Sequence, residues 1–229
     1  MTRHGDEGDA QRRRHEIVRA GLTLLGDAGF DGLSLRRLAG HLGMHAPGLY
    51  WYIQSKQELI DLMAKVILDE GLYPIPPLRG RQTWEEWLVE LACTTRQALL
   101  AYRDGARVVA SAYLVRTNAI TPVIEQSLTI LEDAGFDRLV ALGGTMTILR
   151  YATGIALDEQ ASPTGPAPVV GEHLANLPIP EIDSHRWPRT ADAMRRVFER
   201  HLRDPDKMFR VGAQMIVRGL AEKITRESQ

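Results

Sequence analysis

"HAPGLYWYIQSKQEL", residues 45–59, sets Tyr50, Trp51 and Tyr52 side by side just after Pro47-Gly48. Consecutive residues of a helix point in directions about 100° apart, so no single core can bury all three rings. Aromatic residues make up only 6% of the chain, and a concentration of rings facing several ways asks for a partner outside the core. The flanking sequence supplies a frame for them. Upstream, Ile17, Ala20, Gly21, Leu24 and Leu25 recur at spacings of three and four across residues 12–28, ending at Gly29. Ser34 then caps a short helix with Leu35, Leu38 and Leu42 inward, which Gly43 stops. After Met44-His45 a third short helix opens at Ala46, with Pro47 in its first turn.

Three short helices with a tight, glycine-containing turn between the second and third are what a helix-turn-helix needs, and its third helix lies in the DNA major groove. Leu49 then turns inward while Tyr50, Trp51 and Tyr52 reach bases and backbone. A tyrosine hydroxyl can bond a phosphate, and a ring edge or Pro47 can rest against a thymine methyl. Local charge agrees: from Gly32 to Gln57 there are Arg36, Arg37 and Lys56 and no acidic residue. The competing reading is a small helical subdomain whose rings cover a neighbouring helix.

Downstream, "SKQE" at 55–58 is a capping box that opens a helix through about Glu70. Pro74, Pro76 and Pro77 break the chain there. The sequence therefore divides into a flexible polar tail over 1–11, a helix-turn-helix domain with its connecting helix over 12–73, and a second domain over 74–229. In the second domain "TWEE" at 83–86 caps a helix to about Tyr102, Asp104-Gly105 begins another through about Arg116, and Thr121-Pro122 begins a third that Gly135 ends. Asp137 starts a fourth, to about Glu159. A proline-rich loop spans 161–188, and two helices follow over roughly 189–202 and 205–225. No strand alternation stands out, so the fold class is all-α.

Composition narrows the functions. The chain is 44% hydrophobic and 25% charged, with a net charge of −1, so it builds a real core and any DNA-binding basic site must be local. The single Cys93 excludes an intramolecular disulfide and a cysteine-based zinc site. The polar opening MTRHGDEGDAQRRRHE is unlike a signal peptide. The apolar stretch 139–157 contains Arg150 and three glycines, which fits a buried helix better than a membrane span. These features predict a soluble cytoplasmic protein with no membrane partner. His41 and His45 stand four apart, but Gly43 breaks the helix that would align them for a metal. Neither a phosphate loop nor a G-x-S-x-G elbow is present. No metal or cofactor is expected.

"GFDGLSLRRLAGHLGMHAPGLYWYIQSKQELIDLMA" resembles the DNA-binding domain of the TetR family of bacterial transcriptional repressors. "TWEEWLVELACTTRQALLAYRDGARV", "GIALDEQ" and "GAQMIVRGLAEKI" look like the ligand-binding core of its tetracycline-responsive branch, in the same order. The resemblance implies DNA-facing roles for Ser34, Arg36, Ala46, Pro47, Gly48, Tyr50, Trp51, Tyr52 and Lys56. Of these, Arg36 is the best placed in type to grip a guanine edge, and Lys56 to neutralise a phosphate. Ala46 and Gly48 depart from the polar or branched residues usual there. Arg12, Arg13 and Arg14 precede the first helix as either a phosphate-seeking arm or a solvated one. The resemblance also implies an effector cavity in the second domain, lined here by Trp87, Leu91, Thr95, Val109, Ala112, Tyr113, Gln126, Met146, Arg150 and Thr153: apolar walls with a few polar anchors. Arg150 interrupts an apolar helix face and so calls for an acid, a carbonyl or a ligand. Val109 and Leu72 stand where tetracycline-binding members carry pocket histidines, one of which holds magnesium. An aliphatic chain cannot ligate that cation, which favours a flatter, more apolar effector.

Gly143, Gly144, Gly212, Ala213 and Gly219 on apolar helices predict close helix packing, hence a homodimer through a four-helix interface with two reading heads about one DNA turn apart, ~34–36 Å. The function so read is a repressor that binds a palindromic operator in double-stranded DNA and is released by a small molecule. Two alternatives stay open: a ligand-independent dimeric DNA-binding protein, and an all-α enzyme using Arg150 and Asp158.

Overall fold

The computed structural model describes residues 3–73, 75, 77–161, 182–200 and 205–227. Among them there is helix and turn and no strand: α1 (Arg3–Gly32), α2 (Leu35–His41), α3 (Ala46–Tyr50), α4 (Lys56–Leu72), α5 (Trp84–Leu100), α6 (Gly105–Ser111), a 3₁₀ turn (Leu114–Thr117), α7 (Thr121–Asp133), α8 (Arg138–Gln160), α9 (Pro188–Arg200) and α10 (Pro205–Glu227). The all-α reading holds. Most of the expected loop, residues 162–181, lies outside the described residues.

The first helix is longer than expected. It starts at Arg3, so residues 3–11 are a continuation of α1 and not a separate tail, and Arg12, Arg13 and Arg14 sit inside a helix. Arg12 pairs with Asp9 and Arg13 with Glu16 along that helix, while Arg14 reaches across to Glu58 of α4. At Gly29 the helix kinks through φ 68°. Ile17, Val18, Leu22 and Leu25 of α1 then meet Leu38 of α2, Leu49 and Ile53 from the third helix region, and Leu59 and Met63 of α4, all buried. This is the core of the N-terminal head.

Helix α4 belongs to both halves. Its first turns fill the head, and Ile67, Leu68 and Leu72 are buried further along, where α4 lies against α5 and α6. Gly71 makes that crossing tight: a Cβ there would sit 2.1 Å from Ala98 Cβ and 2.9 Å from Ala98 Cα. The caps form as read from the sequence. Thr83 and Glu86 close a complete capping box at α5. At α4 the Ser55 hydroxyl accepts Glu58 N–H at 3.0 Å, but the Glu58 carboxylate accepts the amide of Gln54 at 2.7 Å, not that of Ser55.

Helix α6 stops at Ser111, short of the expected Arg116, because α4 captures its end. Gln57 Nε2 donates to Ser111 O at 2.9 Å, and Tyr113 N–H donates to the Asp61 carboxylate at 2.8 Å. With those groups engaged, Ala112 turns extended (ψ 147°) and the chain resumes as the 3₁₀ turn.

Helix α8 is long and apolar enough to cross a membrane by length and composition. It instead packs against α5, α6, α7 and α10 as a central helix of the C-terminal domain. The glycines expected at a dimer interface divide by role. Gly212 and Gly144 serve this chain's own α8–α10 crossing: a Cβ at Gly212 would lie 2.1 Å from the Tyr151 hydroxyl, and one at Gly144 2.6 Å from Leu220. Ala213 is buried beside them. Gly143 and Gly219 face open space.

Gly71→Val should destabilise the fold by about 1–3 kcal/mol, because the branched chain overpacks the α4–α5 crossing. Gly26, with nothing near its Cβ position, is the control. A melting temperature for Gly71→Val equal to that of Gly26→Ala would contradict this packing.

Candidate DNA-reading head and effector core

The turn between α2 and α3 is set by Gly43 at φ 63°, the left-handed conformation glycine adopts freely. Ser34 caps α2, its hydroxyl accepting Arg37 N–H at 3.3 Å. His45 caps α3 through its backbone, its carbonyl accepting Gly48 N–H at 2.9 Å, and its ring caps nothing. One apolar side chain of α3, Leu49, turns into the core, and the rings diverge as their spacing requires: Tyr50 is 51% exposed, Trp51 is 88% exposed and Tyr52 is half-buried. Arg36, Arg37, His41, His45 and Pro47 are exposed on the same stretch, and Ala46 and Gly48 are half-exposed. Lys56 stands exposed at the first position of α4, its ammonium 5.4 Å from the centre of the Phe30 ring. The nine sequence-predicted head residues thus lie on the short stretch from the α2 cap to the α4 cap, with large apolar rings and cations at the surface. A patch of this kind on a helix-turn-helix can take up a duplex backbone and groove.

The second domain brings some of its ten predicted residues together and separates others. Trp87, Leu91 and Thr95 lie buried along α5, and Val109 is buried on α6. Ala112, Gln126 of α7, and Met146 and Thr153 of α8 are half-buried. The hydroxyls of Thr95 and Thr153 are spent on their own helices, donating to Leu91 O and Leu149 O. A cavity of about 10 Å³, room for one water, opens between Leu72, Ile75, Trp87, Glu90, Leu91 and Thr94. Two expectations fail. Tyr113 is 59% exposed, because its backbone amide is drawn to Asp61 and its ring is left outside under the Arg116 guanidinium. Arg150 is exposed on α8, so nothing obliges it to find an acid or a ligand in the core of this chain.

The buried arginine is Arg96, 3% exposed. It donates to both carboxylate oxygens of Glu159, at 2.8 and 3.0 Å, and to Asp206 at 2.6 Å, tying α5 to α8 and α10. The Phe209 ring lies 5.2 Å from its guanidinium carbon and stacks on Tyr151. Burial opposes its charge, yet the bonds from Glu159 and Asp206 hold its pKa above arginine's ordinary value. The signal for it was present: Arg96 falls four residues after Ala92 and three before Leu99, on the buried stripe of α5.

A third set of contacts, unforeseen in the sequence, joins head to core. Asp104 adopts a left-handed backbone, φ 55°, and its carboxylate accepts Phe30 N–H at 2.8 Å, just past the α1 kink. Arg103 donates to Gly26 O and Asp27 O. Arg107 donates to both oxygens of Asp31, at 2.9 and 2.7 Å, and lies over the Phe30 ring; the same bonds pull the Asp31 carboxyl below its usual range.

The fold and head define a helix-turn-helix protein with an all-helical C-terminal domain, the class of a one-component transcriptional regulator. The pattern described as "Bacterial regulatory proteins, tetR family" matches residues 17–63, and "Tetracyclin repressor-like, C-terminal domain" matches residues 76–224. The class C tetracycline repressor of Escherichia coli is 35% identical over 91% of this chain and 90% of its own length. A possible TetR family regulator from Streptomyces coelicolor A3(2) superposes with a TM-score of 0.74 at 28% identity, over 91% of this chain and 98% of that one. A single-substitution variant of TetR from Acinetobacter baumannii AYE, solved in complex with minocycline, superposes at a TM-score of 0.66 and 27% identity, over 92% of this chain and 97% of that one. The chain belongs to the TetR family and is a helix-turn-helix, DNA-binding transcriptional regulator.

Arg96→Ala should cost about 3–5 kcal/mol, since it leaves the nearly buried Glu159 carboxylate uncompensated. Arg150→Ala should stay within about 0.5 kcal/mol in chemical denaturation, as for other surface changes. Equal losses in the two variants would contradict this assignment.

Proposed function

We propose that the protein is a cytoplasmic homodimeric repressor that binds a palindromic operator and is released by a small apolar or aromatic effector held in the C-terminal domain. The observation that carries this is the exposed ring-and-cation face on a helix-turn-helix head whose connecting helix is also part of the effector-domain core. Tyr50, Trp51 and Tyr52 contact bases and backbone, Arg36 grips a guanine edge, and Lys56 neutralises a phosphate, with Ser34, Ala46, Pro47 and Gly48 at close backbone approach. The effector lies among Trp87, Leu91, Thr95, Val109, Ala112, Gln126, Met146 and Thr153. Likeness to tetracycline repressors supports this site and not their ligand, because Val109 and Leu72 are buried aliphatic side chains. Among the described residues no group of three His, Cys, Asp or Glu gathers to hold a metal.

Dimerisation uses the outer face of α8 and α10, where Leu139, Val211 and Met215 are exposed beside Gly143 and Gly219. An apolar face of this kind asks to be covered. The enzyme reading has little support: Arg150 and Asp158 are both exposed and separated by eight residues of one helix, about 12 Å.

A ligand changes DNA affinity only by binding one head spacing better than the other. Two routes carry that preference to the heads: α4 itself, and the bonds from Asp104 and Arg107 of the core to Phe30 and Asp31 of α1. Effector and operator must therefore weaken each other's binding by the same factor. A library screen by thermal shift identifies the effector, and tryptophan fluorescence titration with and without operator measures the coupling. An effector that binds free and operator-bound protein equally would overturn the mechanism.

Tyr50→Ala should weaken operator binding without altering the melting temperature. Lys56→Ala should lower the slope of log affinity against log salt by about one per head; unchanged affinity and slope in both variants would remove the head from DNA. Arg107→Ala together with Asp104→Ala should leave effector affinity for the free protein intact while shrinking the effector–operator coupling factor, measured by the same titration.

A further inference from the structure

We propose that His45 is a sequence-reading residue of the DNA interface, donating a ring N–H to the major-groove edge of a guanine at one base pair in each half-site. The inference rests on the DNA-binding reading and adds to it a residue that the ring-and-cation face does not include. Base-edge readout needs hydrogen-bond donors or acceptors, and the opening of α3 has none in its side chains: Ala46, Pro47 and Gly48 offer only methyl, ring methylene and hydrogen. The nearest polar side chain before them is His45, at the N-cap of α3.

Three features of the structure fit that role. The ring is exposed, and the backbone does the capping in its place, so the imidazole is not needed to hold the helix together. The Gly43 turn brings His45 to the start of the helix that would enter the groove, the end whose residues meet base edges in this motif. Arg36, Arg37, His41 and Lys56 are exposed on the same stretch of chain, and no acidic residue stands between Gly32 and Gln57 to compete with the base for the ring N–H. A histidine has only donors when protonated and one donor when neutral. Either form can donate one ring N–H to guanine N7 or O6.

The test selects binding sites from a randomised double-stranded DNA library with the wild-type dimer, then measures wild type, His45→Ala and His45→Gln on the selected duplex and on duplexes changed at single base pairs. We expect one base pair per half-site at which wild type prefers guanine by roughly tenfold, at which His45→Ala shows no preference, and at which His45→Gln moves toward adenine, the base glutamine pairs with bidentately. At all other positions the three proteins should rank the bases alike, and their melting temperatures should match. Identical base preferences in wild type and His45→Ala would overturn the proposal. So would an equal loss of affinity on every duplex, selected or not, since that is the mark of a phosphate contact. A wild-type protein that selects no sequence at all would overturn the operator-binding reading as well.

Discussion

The sharing of α4 between two cores is the constraint on which the rest of this molecule depends. Leu59 and Met63 are wholly buried against α1, and Ile67, Leu68 and Leu72 are buried further along the same helix toward α5. A rigid helix cannot tilt to suit one domain without dragging the other. Gly71 strengthens the link, because its missing Cβ lets α4 and α5 approach to a distance no side chain permits. Packed interiors are bistable and do not deform smoothly, and α4 is the helix whose packing the two cores share.

The second tie acts through polar groups, and it is costly to form. Asp104 is held at φ 55°, a region a non-glycine residue occupies at the cost of strain, and in return its carboxylate satisfies the amide at the kinked end of α1. Arg103 and Arg107 flank it with bonds to the same short segment. Along α4, Asp61 and Gln57 draw off the end groups of α6. Helix α6 is therefore held by two helices of the head at once, its start by α1 and its end by α4. Strain and polar capture are thus concentrated where head and core meet.

The Arg96 triad is a third tie, within the C-terminal domain itself. It joins α5, α8 and α10, and a buried guanidinium so bonded resists rearrangement because loosening it leaves Arg96 and Glu159 charged and desolvated.

What the sequence determined by itself was everything that depends on local chemistry. The Ser34, Ser55 and Thr83 caps, the Gly43 turn, the helix break near Gly29 and the outward divergence of Tyr50, Trp51 and Tyr52 follow from residue type and spacing over a few positions. The TetR resemblance followed from those same motifs. Tertiary structure decided which charged residue is buried and where helices end. Arg96 and Arg150 both interrupt apolar stretches, and only the neighbours brought by α8 and α10 make the first a buried ion-pair centre and leave the second outside. Helix α6 has a sequence that could continue beyond Ser111; it stops because Gln57 and Asp61, some fifty residues earlier, offer its end groups better partners than another turn would. The glycines of α8 and α10 were legible as close-approach residues. Whether the approach was to a second subunit or to the chain itself depended on distances to Tyr151 and Leu220, which no spacing rule encodes.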